Sequence, residues 1–406
     1  MQTLSLAWRN IWRNRRRTLL TAGAVAFACT VLSFTISLQQ SSYKTAIEAS
    51  ASIFQGHLQI QRIGYQDEPK LSLAFPFSSN LQSLLSLEPS VAAYSPRVNA
   101  FSLASSDERT FGVQIFGVDP LTEPLVSSIP GTIRAGRYLQ AKDSSGAVIG
   151  KALSENLKVS LGDELTLLGQ GADGSMAAGI VSIVGIFSSG STEIDRTMIQ
   201  IPLPTAQEIF SLPSEINALV VRSTNLTRSN EIANRIQQIL PNNLRILTWD
   251  ELNPGLKEAI ELDMVSGWLF LFSLILIVAF GVLNTFLMSL LERIREFGLL
   301  MALGMKAWSL IFMVSLELLC LLLTGTLPGV VMGLAIITYF SIVGFSVPGA
   351  EELTQLWNLP AVLYPQLNPL FLLSGPTVVV VITFVLVVPF SLRLRRINPV
   401  EALTSV

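Results

Sequence analysis

Charged residues are scarce in this sequence. Only 14% of its 406 residues are charged, against roughly 25% in ordinary soluble proteins, while half are hydrophobic. The apolar excess is concentrated in four segments that are long enough to cross a bilayer, which takes about 20 apolar residues. These segments cover residues 18–38, 264–291, 307–340 and 370–392. The composition therefore excludes a purely soluble protein and predicts four membrane spans together with a soluble part.

Histidine and cysteine are almost absent. The single histidine, His57, excludes an ordinary metal site built from several histidines. Both cysteines, Cys29 and Cys320, lie within predicted spans, so no disulfide framework holds the soluble part. We find no nucleophile–base pair and no pair of carboxylates that points to catalysis. We therefore expect no metal, no cofactor bound by this chain and no nucleic-acid partner.

One stretch has a faint likeness to a phosphate-binding loop. Residues 146–151 read GAVIGK, with one residue too few between the glycines. Ala152 stands where a serine or threonine would bind magnesium. Nucleotide binding by this chain is therefore not expected.

Basic residues cluster at the ends of the spans. Five arginines precede the first span, two lie between the second and third, and three follow the fourth: Arg9, Arg13, Arg15, Arg16, Arg17, Arg293, Arg295, Arg393, Arg395 and Arg396. The positive-inside rule places such clusters in the cytoplasm. We therefore predict that both termini are cytoplasmic and that residues 39–263 lie outside the membrane. Residues 341–369 are predicted to be an outer loop and residues 393–406 a cytoplasmic tail.

The stretch ahead of the first span is amphipathic. Four apolar residues share one helical face and the arginines point away from it; the four are Leu4, Trp8, Ile11 and Trp12. Tryptophan beside arginine is favoured at the depth of the lipid headgroups. We predict a cytoplasmic amphipathic helix over residues 1–17, which serves either as an interfacial anchor or as a contact with a partner subunit.

Residues 39–263 mix strand-like alternation with short helical stretches. Strands are predicted at 57–61, 111–118, 148–149, 164–168, 180–187 and 198–203, and helices at 152–157, 205–212 and 229–240. This pattern predicts an α+β domain of two lobes, the inner lobe formed by residues 39–98 and 214–262. Asn253 followed by Pro254 is typical of a helix start, so the helix of the second span is predicted to begin there.

The linker between the second and third spans, residues 292–306, has its own helical repeat. Five positions recur at helical spacing and form an apolar stripe: Ile294, Phe297, Leu300, Met301 and Gly304. The charged residues Arg293, Arg295 and Glu296 lie elsewhere around the helix. A short cytoplasmic helix with an apolar stripe is suited to binding another helix or another protein.

The third span holds a carboxylate, Glu317. A charged side chain in the bilayer costs on the order of 2.5–3.5 kcal/mol on insertion scales, so we expect it to face protein or to be protonated. It is either a structural contact between helices or a participant in substrate or gating movement. Gly325, Gly329 and Gly333 recur every four residues, which permits close approach of another helix, and Pro328 is expected to bend the span.

These residues carry a resemblance to a known family. The linker resembles the coupling helix of FtsX/MacB-like (type VII) ABC transporter permeases, with Glu292-Arg293, Arg295-Glu296, Gly298 and Ala302-Leu303-Gly304. Met301 departs from that pattern, because an arginine is common there, and the change is expected to weaken a polar contact with the ATPase. Glu317 with its glycines also resembles the family, as do the run from Arg396 to Ala402 and the pair Val148-Ile149-Gly150 and Leu161-Gly162-Asp163-Glu164.

The resemblance implies a membrane α-helical fold of four transmembrane helices, with a large extracytoplasmic α+β (MacB-like) domain inserted between helices 1 and 2. It implies a multi-pass permease of the bacterial inner membrane, not an enzyme, with that domain in the periplasm. ATP and Mg would be bound by a separate cytoplasmic ABC ATPase dimer, and a second permease, identical or related, would complete the complex. The residues implied in coupling to the ATPase are Glu292, Arg293, Arg295, Glu296, Phe297, Gly298, Met301 and Gly304.

Two stretches are most similar to the lipoprotein-releasing, Lol-type branch: residues 184–187 (VGIF) and 195–207 (DRTMIQIPLPTAQ). That branch implies extraction of lipoproteins, or similar lipidated or amphiphilic cargo, from the outer leaflet toward a periplasmic carrier or adaptor. The implied acyl-chain contacts, unless they are ordinary lipid-facing residues, are Phe34, Leu38, Met264, Trp268 and Leu271. The alternatives are MacB-type export of peptides, drugs or amphiphiles from the periplasm, and mechanotransmission to an envelope hydrolase.

Overall fold

The computed structural model describes residues 2–107, 109–346 and 362–392, with only the backbone of residues 2–6 and 227. The described chain divides into two compact units. The first takes the residues up to Tyr43 together with those from Ala259 onward, and the second takes Lys44–Glu258. The predicted tail at 393–406, its run from Arg396 to Ala402 and residues 347–361 of the predicted outer loop lie outside the described residues.

The helices, in chain order, are α1 (Gln2–Ile11), α2 (Arg15–Ser50), α3 (Ser79–Leu87), α4 (Glu123–Val126), α5 (Lys151–Leu157), α6 (Thr192–Thr197), α7 (Leu203–Ile209), α8 (Ser229–Ile239), α9 (Trp249–Leu252), α10 (Pro254–Glu292), α11 (Ile294–Ala302), α12 (Ala307–Val343) and α13 (Pro369–Ser391). Four of these described helices, α2, α10, α12 and α13, are long and apolar enough to cross a membrane, which confirms the four predicted apolar helices. α12 continues through Pro328, and a bend there stays a prediction.

Helix α10 begins where the sequence indicates. The Oδ1 atom of Asn253 accepts a hydrogen bond from the amide of Leu256 at 3.2 Å, and Pro254 occupies the first helical position. An asparagine cap satisfies an amide that the first helical turn would otherwise leave unpaired. The predicted helix start is therefore confirmed.

The N-terminal segment is divided, whereas the sequence predicts one helix over residues 1–17. α1 ends at Ile11, a turn of 3-10 helix follows at Trp12–Asn14, and α2 starts at Arg15. The interruption allows α1 to pack against α12, where Ala7 is fully buried, instead of extending α2. Trp8 remains exposed. α1 therefore has a binding partner within its own unit.

Helices α2 and α12 approach each other closely through the glycines. A Cβ atom on Gly325 would lie 2.6 Å from the carbonyl oxygen of Ala22. A Cβ atom on Gly329 would lie equally close, at 2.6 Å, to that of Ala26. No real Cβ atom approaches so near, so only glycine allows this packing distance, which confirms the predicted close approach.

Serines on α2 bind the backbone at and before the start of α13. Three of them donate hydrogen bonds to carbonyl oxygens, at 2.8, 2.7 and 2.5 Å respectively: Ser33 to Leu372, Ser37 to Gln366 and Ser41 to Tyr364. Their spacing of four residues places them on one face of the helix. Irregular backbone is tolerated beside an apolar helix only where such groups satisfy its carbonyls.

The second unit contains twelve described strands: β1 (Leu58–Arg62), β2 (Phe75–Pro76), β3 (Val91–Ser106), β4 (Arg109–Val118), β5 (Ile133–Gly136), β6 (Gly146–Gly150), β7 (Glu164–Gln170), β8 (Met176–Phe187), β9 (Met198–Pro202), β10 (Glu215–Ile216), β11 (Ala218–Ser223) and β12 (Leu244–Thr248). Ten of them form one sheet in the order β12-β1-β11-β3-β4-β9-β6-β8-β5, with β7 pairing β3 and β8. The pairs β4–β9 and β6–β8 are parallel and the other pairs antiparallel. β2 and β10 pair separately.

Buried side chains in this unit fall into separate clusters. Helices α3 and α8 bury leucine and isoleucine side chains against β1, β11 and β12. Helices α5 and α7 do the same against β3, β4 and β6–β9. The mixture of strands and short helices is that of the predicted α+β domain. The division into two lobes stays a prediction, because one sheet passes through both clusters.

We expect Gly329→Ala to lower the free energy of unfolding by about 1–3 kcal/mol, because the added Cβ would overlap the backbone of Ala26. The matched control is Gly281→Ala on α10, where a Cβ meets nothing within 4 Å. Thermal unfolding of the full-length variants in one detergent measures the difference. Equal melting temperatures for the two variants would contradict the close packing of α2 and α12.

Candidate functional site

Helix α11 is separated from α10 by a single residue. α10 ends at Glu292, the ψ angle of Arg293 is 10°, and α11 begins at Ile294. The amide of Arg293 donates to the carbonyl of Leu290 at 3.2 Å, and its own carbonyl accepts from Phe297 at 3.0 Å. These two bonds keep the break to one residue.

Helix α11 ends earlier than the linker does. The amide of Gly304 donates to the carbonyl of Met301, and that of Met305 to the carbonyl of Leu300, both at 3.0 Å. The φ angle of Gly304 is +94°, in the left-handed region that favours glycine at a helix end. Gly304 therefore terminates the helix. The prediction that it belongs to the apolar stripe is wrong, because spacing alone does not reveal the backbone conformation.

The apolar stripe of α11 packs inside its own unit. Phe297 is fully buried among side chains of α10 and α12, and Leu300 packs partly against the same cluster. Leu299, on the opposite side of the helix, and Leu303, directly after its last residue, are exposed. The surface that α11 offers to another protein is therefore formed by these two leucines and by charged residues, and Phe297 holds the helix in place.

Five polar side chains form a closed ring, which we call the polar ring: Asn10 on α1, Arg13 in the 3-10 turn after α1, Arg293 between α10 and α11, Glu296 on α11 and Glu317 on α12. The carboxylate of Glu317 accepts hydrogen bonds from Asn10 Nδ2 at 2.5 Å and Arg293 Nη1 at 2.6 Å. Arg293 Nε donates to Glu296 at 3.1 Å, and Glu296 also accepts from Arg13 Nη1 at 2.7 Å. The ring closes because Asn10 and Arg13 are close in the chain. It connects α1, α11 and α12.

The polar ring has a buried side and an exposed side. The side chains of Arg293 and Glu317 are 9% and 12% exposed, whereas those of Arg13 and Glu296 are 55% and 48% exposed. Removing one partner of a buried ion pair costs about 3–5 kcal/mol, whereas an exposed ion pair contributes about 0–1 kcal/mol. The stability of the ring therefore depends chiefly on Arg293 and Glu317.

The exposed side of the ring is charged at neutral pH. The hydrogen bond from Arg13 holds the pKa of Glu296 below its usual range, and the neighbouring Arg293 acts in the same direction. Glu296 therefore remains a carboxylate that can accept from both arginines.

Two further contacts join α2 to α10 outside the polar ring. Arg17 Nη1 lies 3.1 Å from Glu292 Oε1, and the hydroxyl oxygens of Thr21 and Thr285 lie 3.0 Å apart. The Arg17–Glu292 pair is partly exposed. These contacts tie the first span to the second without involving α11.

The structure separates the residues predicted to couple to an ATPase into three groups. Arg293 and Glu296 belong to the polar ring, and Glu292 pairs with Arg17. Phe297 and Gly298 are buried, Met301 is half-buried, and Arg295 and Gly304 are exposed. Sequence reasoning missed Asn10 and Arg13, because Arg13 and Glu296 are 283 positions apart and no local pattern pairs them.

Among the predicted acyl-chain contacts on α2, Phe34 belongs to an aromatic cluster. Its ring centroid lies 5.5 Å from that of Phe340 and 5.6 Å from that of Phe345. Leu38, one turn further along α2, is half-buried. Phe34 is thus already in contact with the end of α12.

The predicted contacts on α10 differ in exposure although their spacing places them on one side of the helix. Trp268 is 57% exposed and Met264 is also exposed, whereas Leu271 is 3% exposed and packs in the core of the helices. Met264 and Trp268 are one helical turn apart and present an open apolar surface. Leu271 is covered by neighbouring helices.

A double-mutant cycle tests the buried side of the polar ring. Arg293→Met and Glu317→Leu are each expected to destabilise the full-length protein. Arg293→Met leaves the buried carboxylate of Glu317 without a charged partner, and its expected cost is about 3–5 kcal/mol. The double variant is expected to recover much of that loss. The control is Arg17→Met, which removes a partly exposed pair and should cost less than about 1 kcal/mol. Strictly additive losses in detergent unfolding would show that the two side chains do not interact.

Comparison with known proteins gives two family matches. Residues 18–239 match the model of the MacB-like periplasmic core domain, which covers more than half of the chain. Residues 268–399 match the FtsX-like permease C-terminal model.

Individual relatives are distant. Over 325 residues the chain is 22% identical to the lipoprotein-releasing system transmembrane protein LolC of Neisseria meningitidis serogroup B, covering 78% of this chain and 76% of LolC. Over 231 residues it is 22% identical to LolE of the lipoprotein-releasing system of Haemophilus influenzae, covering 55% of each protein. Among solved structures, the periplasmic region of MacB from Actinobacillus actinomycetemcomitans aligns with a TM-score of 0.36 and 13% identity, covering 49% of this chain and 92% of that one.

Proposed function

Since the chain belongs to the family of FtsX-like ABC transporter permeases with a MacB-like core domain, we propose that it extracts lipoproteins, or similar lipidated or amphiphilic cargo, from the membrane toward a periplasmic acceptor. Two relatives, LolC and LolE, are named as parts of lipoprotein-releasing systems, which supports this cargo. The VGIF and DRTMIQIPLPTAQ stretches of the sequence support the same branch.

The proposed setting is the bacterial inner membrane. The arginine clusters beside the spans favour cytoplasmic termini and a cytoplasmic α11. The second unit, Lys44–Glu258, which we call the strand-rich unit, then lies in the periplasm, inserted between the first and second transmembrane helices. A second permease, identical or related, is proposed to complete the membrane part of the complex.

The polar ring is the observation that carries the proposed mechanism. A cytoplasmic ABC ATPase dimer, which would bind ATP and Mg, is proposed to contact the exposed face of α11 at Leu299 and Leu303. Closure of the dimer would displace α11. Because Arg293 and Glu296 bind Glu317 and Arg13, that displacement would reach α12 and the 3-10 turn after α1 directly. The chain then contributes to transport by transmitting movement and not by catalysis.

Cargo release is proposed to involve α10. Met264 and Trp268 form an exposed apolar surface on this helix, suited to an acyl chain. A periplasmic carrier or adaptor would then receive the cargo at the strand-rich unit.

MacB-type export of peptides, drugs or amphiphiles from the periplasm is the second candidate. The match of residues 18–239 to the MacB-like core domain favours it. This function would use the same ATPase contact and the same polar ring, so the two candidates differ in cargo and in the outer partner.

Native mass spectrometry of the complex, taken intact from its own membrane, tests the proposal. We expect an ATPase pair together with an acylated protein. An ATPase pair with an outer-membrane-linked adaptor and no acylated cargo would favour export, and a bound envelope hydrolase would favour mechanotransmission. Recovery without any ATPase would contradict both transport functions.

The contact face of α11 is tested in the same preparation. Leu303→Asp places a charge on the exposed face of α11 and is expected to reduce the ATPase recovered. Leu262→Asp on α10, at a similarly exposed leucine, is the control and should leave ATPase recovery unchanged.

Photocrosslinking tests the cargo surface. A photoreactive residue at Trp268 is expected to capture acylated cargo, because this position is open, whereas the same residue at Leu271 should capture neighbouring helices. The two positions are three residues apart on one helix, so accessibility is the main difference between them. Equal capture of cargo from both positions would contradict the assignment of an acyl-chain surface.

A further inference from the structure

The strand-rich unit has its own buried ion pair. Arg97 on β3 and Glu123 at the start of α4 are 1% and 0% exposed. Arg97 Nη2 lies 2.5 Å from Glu123 Oε1, and Nε lies 3.0 Å from Oε2. This is the two-pronged geometry in which a guanidinium binds a carboxylate most strongly.

The same guanidinium holds the segment that follows α2. Its Nη1 atom donates to the carbonyl oxygen of Phe54 at 2.5 Å, and its Cζ atom lies 3.9 Å from the centre of the Phe54 ring. Phe54 belongs to a turn of π-helix, Ala51–Gln55, directly after α2. Its ring also packs edge-on against Phe116 of β4, with centroids 4.2 Å apart. Arg97 thus connects β3, α4 and the π-helical turn.

Other contacts hold the same segment. The amide of Ser128 donates to the carbonyl of Ser52 at 2.8 Å, and the hydroxyl of Ser127 donates to the carbonyl of Ile53 at 2.9 Å. Two consecutive backbone carbonyls of the π-helical turn are therefore bound by the residues just after α4.

The start of α10 contacts the end of α2 directly before the π-helical turn. The Nδ2 atom of Asn253, whose Oδ1 atom caps α10, donates to the hydroxyl of Ser50, the last residue of α2. The last residue of α2 and the residue that caps α10 are thus joined directly by a hydrogen bond within the second unit.

We propose that Arg97 is a positioning residue that makes the last turn of α2, the π-helical turn, α4 and the sheet into one rigid joint, through which movement of the first span reaches the periplasmic domain. If Arg97 served only to stabilise the domain through an ion pair, Glu123 would be the only partner it needed. The additional bond to Phe54 and the contact with its ring direct the guanidinium to the segment joined to α2. Lysine could not replace it, because a single ammonium cannot bind a carboxylate in two places, donate to a carbonyl and lie over a ring.

The joint can be tested without assuming any cargo. In the full-length protein, Arg97→Lys is expected to speed amide exchange about tenfold in residues 51–57 and 123–129, because local opening becomes easier. The control is Arg137→Lys. Arg137 also binds a carboxylate in two places, Asp143 at 2.6 and 2.8 Å, but it is exposed and its other side-chain hydrogen bond goes to the carbonyl of Tyr138, not to the π-helical turn. The control should leave exchange in residues 51–57 unchanged.

Transmission through the joint rests on the proposed function and needs the complex with its ATPase. An environment-sensitive fluorophore on Leu121→Cys, an exposed position near α4, is expected to respond to MgATP. The native cysteines are buried, so the label goes to one site. Arg97→Lys should abolish the response while ATP hydrolysis continues, and Arg137→Lys should retain it. An oxidised Ser52→Cys/Ser128→Cys pair, at residues already joined by a 2.8 Å hydrogen bond, should restore it.

Each outcome decides one part of the proposal. Unchanged exchange in Arg97→Lys would overturn the joint, and a fluorescence response that survives a loosened joint would overturn transmission through it. If Arg97→Lys does not fold, the disulfide in the otherwise natural chain decides: a rigid joint predicts an unchanged response, and a lost response would overturn it. A natural complex with no MgATP response contradicts the proposed function, and the exchange measurement then decides the joint by itself.

Discussion

The carboxylate of Glu317 lies in an apolar helix, where an ionised group is stable only beside a partner. Arg293 is that partner, and it stands at the single residue between α10 and α11. Pairing Glu317 therefore holds the break between α10 and α11 against α12. Asn10 completes the pairing from α1, and Glu296 binds Arg13 on the same side. One desolvation constraint thus positions α1, α11 and α12 together.

Both units use an arginine beside the end of a long helix. Arg293 follows α10 directly, and Arg97 binds the π-helical turn that follows α2. In each case the guanidinium binds carboxylate oxygen and lies near an aromatic ring, Phe297 for Arg293 and Phe54 for Arg97. A planar guanidinium can donate hydrogen bonds from its edge while its face lies against an aromatic ring, whereas an ammonium has no planar face. Each guanidinium therefore binds a helix end to a neighbouring element through two kinds of contact at once.

The long helices have different surroundings. One part of α2 receives the glycines of α12, and its serines bind the chain at the start of α13, so much of its surface is used within the protein. α10 is less covered and leaves many apolar side chains exposed. In the proposed mechanism, the closely packed helices transmit displacement and the open helix provides surface for lipid, cargo or a second subunit.

Local features of the sequence were enough to predict the four apolar helices, the start of α10 at Asn253, the close approach at Gly329 and the family, because runs, caps, spacing and motifs are written in neighbouring residues. The sequence also indicated that Glu317 either faces protein or is protonated. Only the tertiary structure decided which partners it has, that Phe297 faces inward, that Gly304 ends α11 and that Arg97 holds Phe54. Asn10 and Glu317 are 307 positions apart, and no periodicity specifies which distant polar groups meet when the chain buries them.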